Sequence, residues 1–486
     1  MKASQTITNK KVKINASSLK KFMKFFWPLL IGLIIWFTFP LRPVGVSLTA
    51  WHALAIFVAT IIACITQPLP LVGVTIVGLS SGVVLGIFSM KAAVSGFGNT
   101  TIWLIAMAYL ISRGFIKTGL SRRIALIFIR YFGEKTLSLS YSLAAIDLIT
   151  APAMPSNTAR VGGVVYPIIT SLNKTYGSDP KNKTQRNIGS YLIFSSLHIN
   201  IITSAMFLTG MAPNLLIVSI AKTMGVNISW ITWFLAALVP GIICLISVPY
   251  IIYKIYPPKV KQTPKAKNWA ENELNHLGKF TPSEKIMLGT FILALVLWIL
   301  SDVLNIDPTL VAFIAISILL LTGVLKVDDI LNEKGAWNVL IWFSVVMFMA
   351  NQLTSLGFIP WLAKSVGHIF TGFNWLIVLI ILCLFYLYSH YLFAGSTAHA
   401  SAMFGSLLAV ALSVGVPPVL AVLAIGFTGS FFNSTTPYAA GPSTILYGSG
   451  YIKQADWWKY NFLLGLYYLL IWLILGVVWM KIIGIW

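Results

Sequence analysis

The chain has 486 residues, 58% of them hydrophobic and only 9% charged, with a mean hydropathy of +0.86. A soluble protein carries about 25% charged residues, so soluble enzymes, nucleic-acid binders and disordered chains are excluded. At about 20 apolar residues per crossing, a chain of this kind holds about a dozen membrane segments.

A basic segment, 1–24, opens the chain and is read as cytoplasmic. An apolar run follows at 25–39 without a small-residue cleavage site, so no cleavable signal peptide is expected. Further runs predict crossings near 51–66, 71–88, 102–117, 189–224 (interrupted), 228–253, 285–301, 309–325, 337–355, 417–450 (interrupted) and 459–485. Two more apolar regions, 138–172 and 374–414, are broken in the middle by small and polar residues. They read as re-entrant helical hairpins, each entering and leaving on one side. Segments 119–134 and 357–370 have amphipathic spacing and are expected to lie flat on opposite membrane faces. The longest polar stretch, 256–282, reads as a cytoplasmic linker.

Charge supports this threading. With the N-terminus inside, the segments 1–24, 117–137, 172–188, 254–285, 326–336 and 451–459 fall inside and carry 27 of the 34 Lys and Arg. That is the positive-inside asymmetry, and it accounts for the net charge of +22 without nucleic acid. It places the chain in the cell (inner) membrane with the C-terminus external. Seventeen Trp and eighteen Tyr fit interfacial anchoring. Cys64, Cys244 and Cys383 are scattered in apolar stretches without metal-ligand spacing. No metal, cofactor, Walker motif or catalytic triad is read, so transport must draw on a gradient.

An internal repeat comes next. Ile102-Trp103 and Ile341-Trp342 open two crossings 239 residues apart. At the same offset, the hairpin tip Ser156-Asn157-Thr158-Ala159-Arg160 matches Gly395-Ser396-Thr397-Ala398-His399. Each half also has an interrupted crossing, at Thr209–Asn214 and at Asn433–Pro442. An odd number of crossings separates the halves, so the second is inverted. The predicted fold is all-α and polytopic, with about eleven transmembrane helices, two hairpins and two broken helices, as in secondary transporters. The first repeat spans 102–254 and the second 337–486. Scaffold spans lie over 25–101 and 285–336, and the linker over 255–284 joins the halves.

Non-helical backbone at membrane depth is tolerated where it lines a wet cavity. Helix N-termini there suit an anion. Thr158 and Thr397 are read as N-caps of the second hairpin arms. Ser156, Asn157, Thr158, Ser396, Thr397, Asn214 and Thr436, with Pro437, are the substrate-binding candidates. The bland alternative is a pair of polar turns, but two at one offset between apolar arms favour a site. Arg160 and His399 stand two residues past the threonines and are read as fixed positive charge beside the anion. Their structural alternatives are an ion pair of Arg160 with Asp147 and a hydrogen-bonded core histidine. His198 and His390 are read as core packing, and the prolines first as helix breakers.

The tip Pro155–Arg160, the break Thr209–Asn214 and Ser396–His399 resemble the divalent anion/sodium symporter (DASS) family. Within it the chain is similar to the branch of the plastid 2-oxoglutarate/malate translocator and the bacterial citrate/succinate antiporters, over about residues 20–486. The resemblance implies a homodimer with a scaffold and an elevator-like transport domain, holding di- or tricarboxylates between the tips. Sodium-coupled members carry SNT at both tips, whereas here Gly395-Ser396-Thr397 replaces the second. The expected activity is sodium-independent exchange of dicarboxylates such as succinate, malate, fumarate and 2-oxoglutarate, with Arg160 and His399 in place of coupling cations. The alternatives are a sodium- or proton-coupled symporter (citrate included), an anion channel and, least, an intramembrane enzyme.

Overall fold

The computed structural model describes residues 16–370, 372–393 and 395–486. The first part of the expected basic segment, 1–15, lies outside the described residues. Helix α1 (Ala16–Phe37) begins inside that basic segment, and α2 (Leu48–Thr66) and α3 (Leu71–Val84) follow. The first repeat then runs through α4 (Thr100–Thr118), α5 (Leu120–Phe132) and α6 (Thr136–Thr150). Its α7 starts at Asn157–Arg160 and continues through a π-helical turn (Val161–Val165) into Tyr166–Thr175. The repeat closes with α8 (Gly189–Met206), α9 (Ala212–Thr223) and α10 (Trp230–Ile255). Between the repeats lie α11 (Pro264–Leu277), α12 (Pro282–Ile299) and α13 (Pro308–Leu321). The second repeat has α14 (Lys334–Ser355), α15 (Phe358–Ile369), α16 (Trp375–Ser389), α17 (Ser396–Ser413), α18 (Pro418–Phe431) and α19 (Gly441–Gly448). Last comes α20, Gln454–Leu470, which runs on through a second π-helical turn.

Each element of the first repeat has a counterpart in the second. Even the corner is shared: Gly119 (φ +75°) and Gly357 (φ +84°) each turn the chain from the opening span into the amphipathic helix. Both corners need a left-handed residue, which glycine adopts without a Cβ clash. The packing is reciprocal. α4 packs on α14 and α8 on α18, while α9 packs on α17 and α19 on α7 of the opposite repeat. The halves are therefore interleaved around a common centre.

Seven helices are long and apolar enough to cross a membrane alone, or eight if the bent pair Met90–Gly98 and Thr100–Thr118 is one span. The eleven expected crossings are thus not all long apolar helices. Helices α3, α13 and α18 each have 14 residues. Every residue of α8 is buried, and its polar Ser195, His198, Asn200 and Thr203 face protein instead of lipid. In the first hairpin α6 has 15 residues, about 22 Å of rise and short of a bilayer core of about 30 Å, whereas the arms of the second, Trp375–Leu392 and Ser396–Ser413, are two of the seven helices long enough to cross.

The polar stretch between the repeats is more ordered than a linker. Its α11 docks on α5, and a single bridge joins Lys135 to Gln262. Arg123 of α5 is buried, with Nε 2.6 Å from Glu284 Oε1 and its other nitrogens donating to the carbonyls of Leu277, Gly278 and Lys279. Helix α5 is therefore gripped between α6 and α11.

Candidate functional site

Each hairpin tip sits against the break of its own repeat. In the first, the Ala212 N–H that starts α9 donates to the Pro155 carbonyl at 3.1 Å. A helix interrupted at membrane depth leaves carbonyls without partners, and side chains supply them. Asn214 is fully buried and donates its amide to the carbonyls of Ser204 (2.7 Å) and Phe207 (3.0 Å). Thr209 donates to the Pro152 carbonyl at 2.7 Å. Asn214 thus seals the break from within.

Arg160 is wholly buried. Its Nη1 donates to the carbonyl of Met154 in the tip (2.6 Å) and to that of Gly210 in the break (2.5 Å), while Nη2 reaches Ser204 Oγ at 2.8 Å. Nε pairs with Asp147 at 3.2 Å. Asp147 also accepts from Asn200 and Thr203. The ion pair with Asp147, raised from sequence as the structural alternative, is therefore present: the guanidinium stitches tip to break and is balanced by a carboxylate.

The second half solves the same problem with imidazoles. His390 Nε2 lies 3.0 Å from the Ala439 carbonyl, so it must be the protonated nitrogen and donate. His390 Nδ1 then accepts from His399 Nδ1–H at 3.1 Å, and His399 Nε2 accepts from Ser389 at 2.9 Å. Every ring nitrogen is used with both rings neutral. The fixed positive charge expected on His399 is not needed here, and His390, read from sequence as core packing, is the residue that reaches the break. No sequence spacing marks the two as partners, because they lie on different elements, His390 in the turn His390–Leu392 and His399 in α17.

Between the tips lies a cavity of about 200 Å³. One wall is made by Asn157 and Thr158 at the start of α7, Ala212 and Pro213 at the start of α9, Ser396 and Thr397 at the start of α17, and Ala440 with Gly441 at the start of α19. Four helix N-termini thus face one space. The opposite wall carries Cys64, Gln67 and Leu71 near the α2–α3 corner, with Tyr109 of α4 and Trp342 of α14. Among the described residues no Asp, Glu, Lys, Arg or His lines it.

The cap assignment shifts by two residues. Ser156 caps α7 by accepting from the Ala159 N–H at 3.1 Å, and the left-handed Gly395 (φ +149°) precedes α17. Thr158 and Thr397 therefore keep their hydroxyls free of capping and stand in the cavity wall. Of the expected substrate residues, Asn157, Thr158, Ser396 and Thr397 meet there. Ser156, Asn214, Thr436 and Pro437 do not line it; the buried Thr436 hydroxyl has no hydrogen-bond partner among the described residues. Gly441 was not singled out from sequence. A Cβ on it would lie 2.7 Å from Thr158 Cγ2 and 2.9 Å from Thr158 Cβ, so only glycine lets the α19 N-terminus approach the first tip. Gln67, Tyr109 and Trp342 were also missed, because they reach the site only through tertiary packing.

Interleaved broken repeats around a cavity of uncharged donors are the architecture of a membrane carrier. Residues 19–486 match the family described as the sodium:sulfate symporter transmembrane region, and the chain belongs to that family of membrane transporters. The YflS protein of Bacillus subtilis (strain 168), provisionally named a malate transporter, is 47% identical, over 94% of this chain and 95% of that one. Dicarboxylate transporter 1 of Spinacia oleracea chloroplasts is 41% identical over 94% and 81%. The L-tartrate/succinate antiporter of Shigella sonnei (strain Ss046) is 37% identical over 91% and 94%. The solved structure of the Alcanivorax borkumensis YdaH transporter shares the fold, with a TM-score of 0.54 at 14% identity over 80% of this chain and 87% of that one.

Proposed function

We propose that this chain exchanges dicarboxylates across the cell (inner) membrane without sodium, carrying C4 acids such as succinate, malate and fumarate, and 2-oxoglutarate. One observation carries the reading: four helix N-termini converge on a cavity with no ionised side chain. Each N-terminus is equivalent to about half a positive charge, so four present about +2, the complement of one dicarboxylate. Asn157, Thr158, Ser396 and Thr397 add neutral donors at the two tips. The names of the relatives point to the same substrate class.

The bridging side chains support sodium independence. Arg160 already fills the space between the carbonyls of Met154 and Gly210, where a mobile cation would find its ligands. His390, backed by His399, does the same for the second break. Exchange follows from the fixed donors. Backbone N–H groups cannot leave with the substrate, so returning empty would drag an uncompensated positive cavity past apolar walls. A bound dianion cancels it in both directions. The carrier works as an elevator within a homodimer, N-terminus cytoplasmic and C-terminus external. The hairpins and broken helices move against a scaffold from 25–101 and 285–336.

A second reading, proton-coupled symport with citrate among the substrates, is favoured by the His390–His399 pair, whose shared bond would break on protonation of His390 Nδ1. Reconstituted vesicles distinguish the two. Labelled succinate should enter only vesicles preloaded with dicarboxylate, at a rate indifferent to sodium and to an imposed pH gradient. Rapid entry into empty vesicles driven by either gradient would reject exchange.

A further inference from the structure

The wall opposite the helix N-termini holds an odd residue. Gln67 ends α2 in the left-handed conformation (φ +48°, ψ +62°), its N–H donating to the Ala63 carbonyl at 2.8 Å. Glycine or asparagine is usual there, and a glutamine needs a compensating use. Gln67 lines the cavity, and its side-chain amide has no hydrogen-bond partner among the described residues. Its backbone carbonyl accepts from the Lys24 ammonium at 3.5 Å, and the next residue back, Thr66, donates to the Lys24 carbonyl at 3.0 Å. Lys24 of α1 is thereby held against the α2 end that lines the cavity.

We propose that Gln67, with Lys24 behind it, is a one-sided docking contact for the transported dianion. The inference rests on the dicarboxylate-exchange reading. The four N-termini belong to the hairpins and breaks, whereas Gln67 sits on the α2–α3 corner. A dianion in the cavity therefore touches two bodies. When the hairpins carry it to the other face, the contacts to the tips travel and the contact to Gln67 is left behind. Lys24 raises the local anion concentration beside Gln67 by long-range attraction, which salt screens. Gln67 then offers an amide N–H to the carboxylate that enters last. Its effect must therefore be confined to the face on which Lys24 lies.

The test measures half-saturation for succinate on each face, in right-side-out and inside-out membrane vesicles, by counterflow. Gln67→Gly removes the amide and also relieves the positive φ, so folding is preserved. It should raise half-saturation about three- to tenfold on the Lys24 face, the worth of one solvent-accessible hydrogen bond. Gln67→Glu keeps the shape but repels the dianion and should raise it about tenfold or more on the same face. Lys24→Gln should lower the salt dependence on that face. Half-saturation on the opposite face should stay at the wild-type value for all three, which doubles as the folding control. Wild-type counterflow in the same vesicles tests the dicarboxylate reading itself. If the wild type exchanges succinate while Gln67→Glu is unchanged on both faces, or equally impaired on both, the docking role is overturned and the exchange reading stands.

Discussion

At the level of single residues, the tips divide labour in a way that substitution can resolve. Thr158 and Thr397 offer hydroxyls to the cavity, and a hydrogen bond to a charged group is worth about 1.5–3 kcal/mol. Either change to alanine should raise succinate half-saturation about ten- to a hundredfold with normal membrane insertion, as read by counterflow and by size-exclusion profile. Gly441→Ala should match that loss, because the new Cβ would push Thr158 aside, whereas Gly448→Ala meets nothing within 4 Å and should be silent. Arg160 belongs to another category. Removing its partner by Asp147→Asn leaves a buried uncompensated cation and should destabilise the protein by about 3–5 kcal/mol, measured as a fall in melting temperature in detergent. Replacing both members with neutral residues should recover part of that loss. These residues also show where reading the chain succeeded. The polar tips stood out because they interrupt apolar runs at one offset. Their separate roles did not, since capping at Ser156 and sealing at Asn214 depend on backbone angles and on which carbonyls are left over.

Among the helices, the two corners at Gly119 and Gly357 and the reciprocal packing of α9 on α17 and α19 on α7 make the halves one interlocked unit. The grip on α5 is a second such device, and its two arginines differ sharply. Arg123 and Glu284 have side chains 5% and 3% exposed, while those of Arg122 and Glu273 are 58% and 29% exposed. Arg123→Ala should therefore cost about 3–5 kcal/mol of stability, and Arg122→Ala under about 1 kcal/mol. Equal effects on thermal unfolding would show that the docking of α11 does not depend on burial. The breaks within 138–172 and 374–414 were legible because polar residues interrupting an apolar run have few other uses in a bilayer. The docking of α11 was not, because charged residues at helical spacing look alike whether they meet water or a neighbouring helix. Crossings such as α8 were harder still. Their polar residues satisfy one another inside the protein, so apolarity ceases to measure membrane depth.

For the molecule as a whole, composition and the 239-residue offset were enough to reach an inverted-repeat secondary transporter, because lipid permits few architectures, and the tip and break motifs carried the resemblance to the family. The far wall, with Gln67, Tyr109 and Trp342, was hidden, since nothing local says which spans will enclose the tips. What unites the molecule is the convergence of polarised backbone from both halves on a single uncharged space. Its most direct test is a density map of the protein with bound succinate. The expected result is one dianion spanning the gap, its carboxylates within about 3.2 Å of hydrogen-bond donors at residues 157–158 and 396–397. Density for the ligand at another place, with these two tips unoccupied, would contradict it.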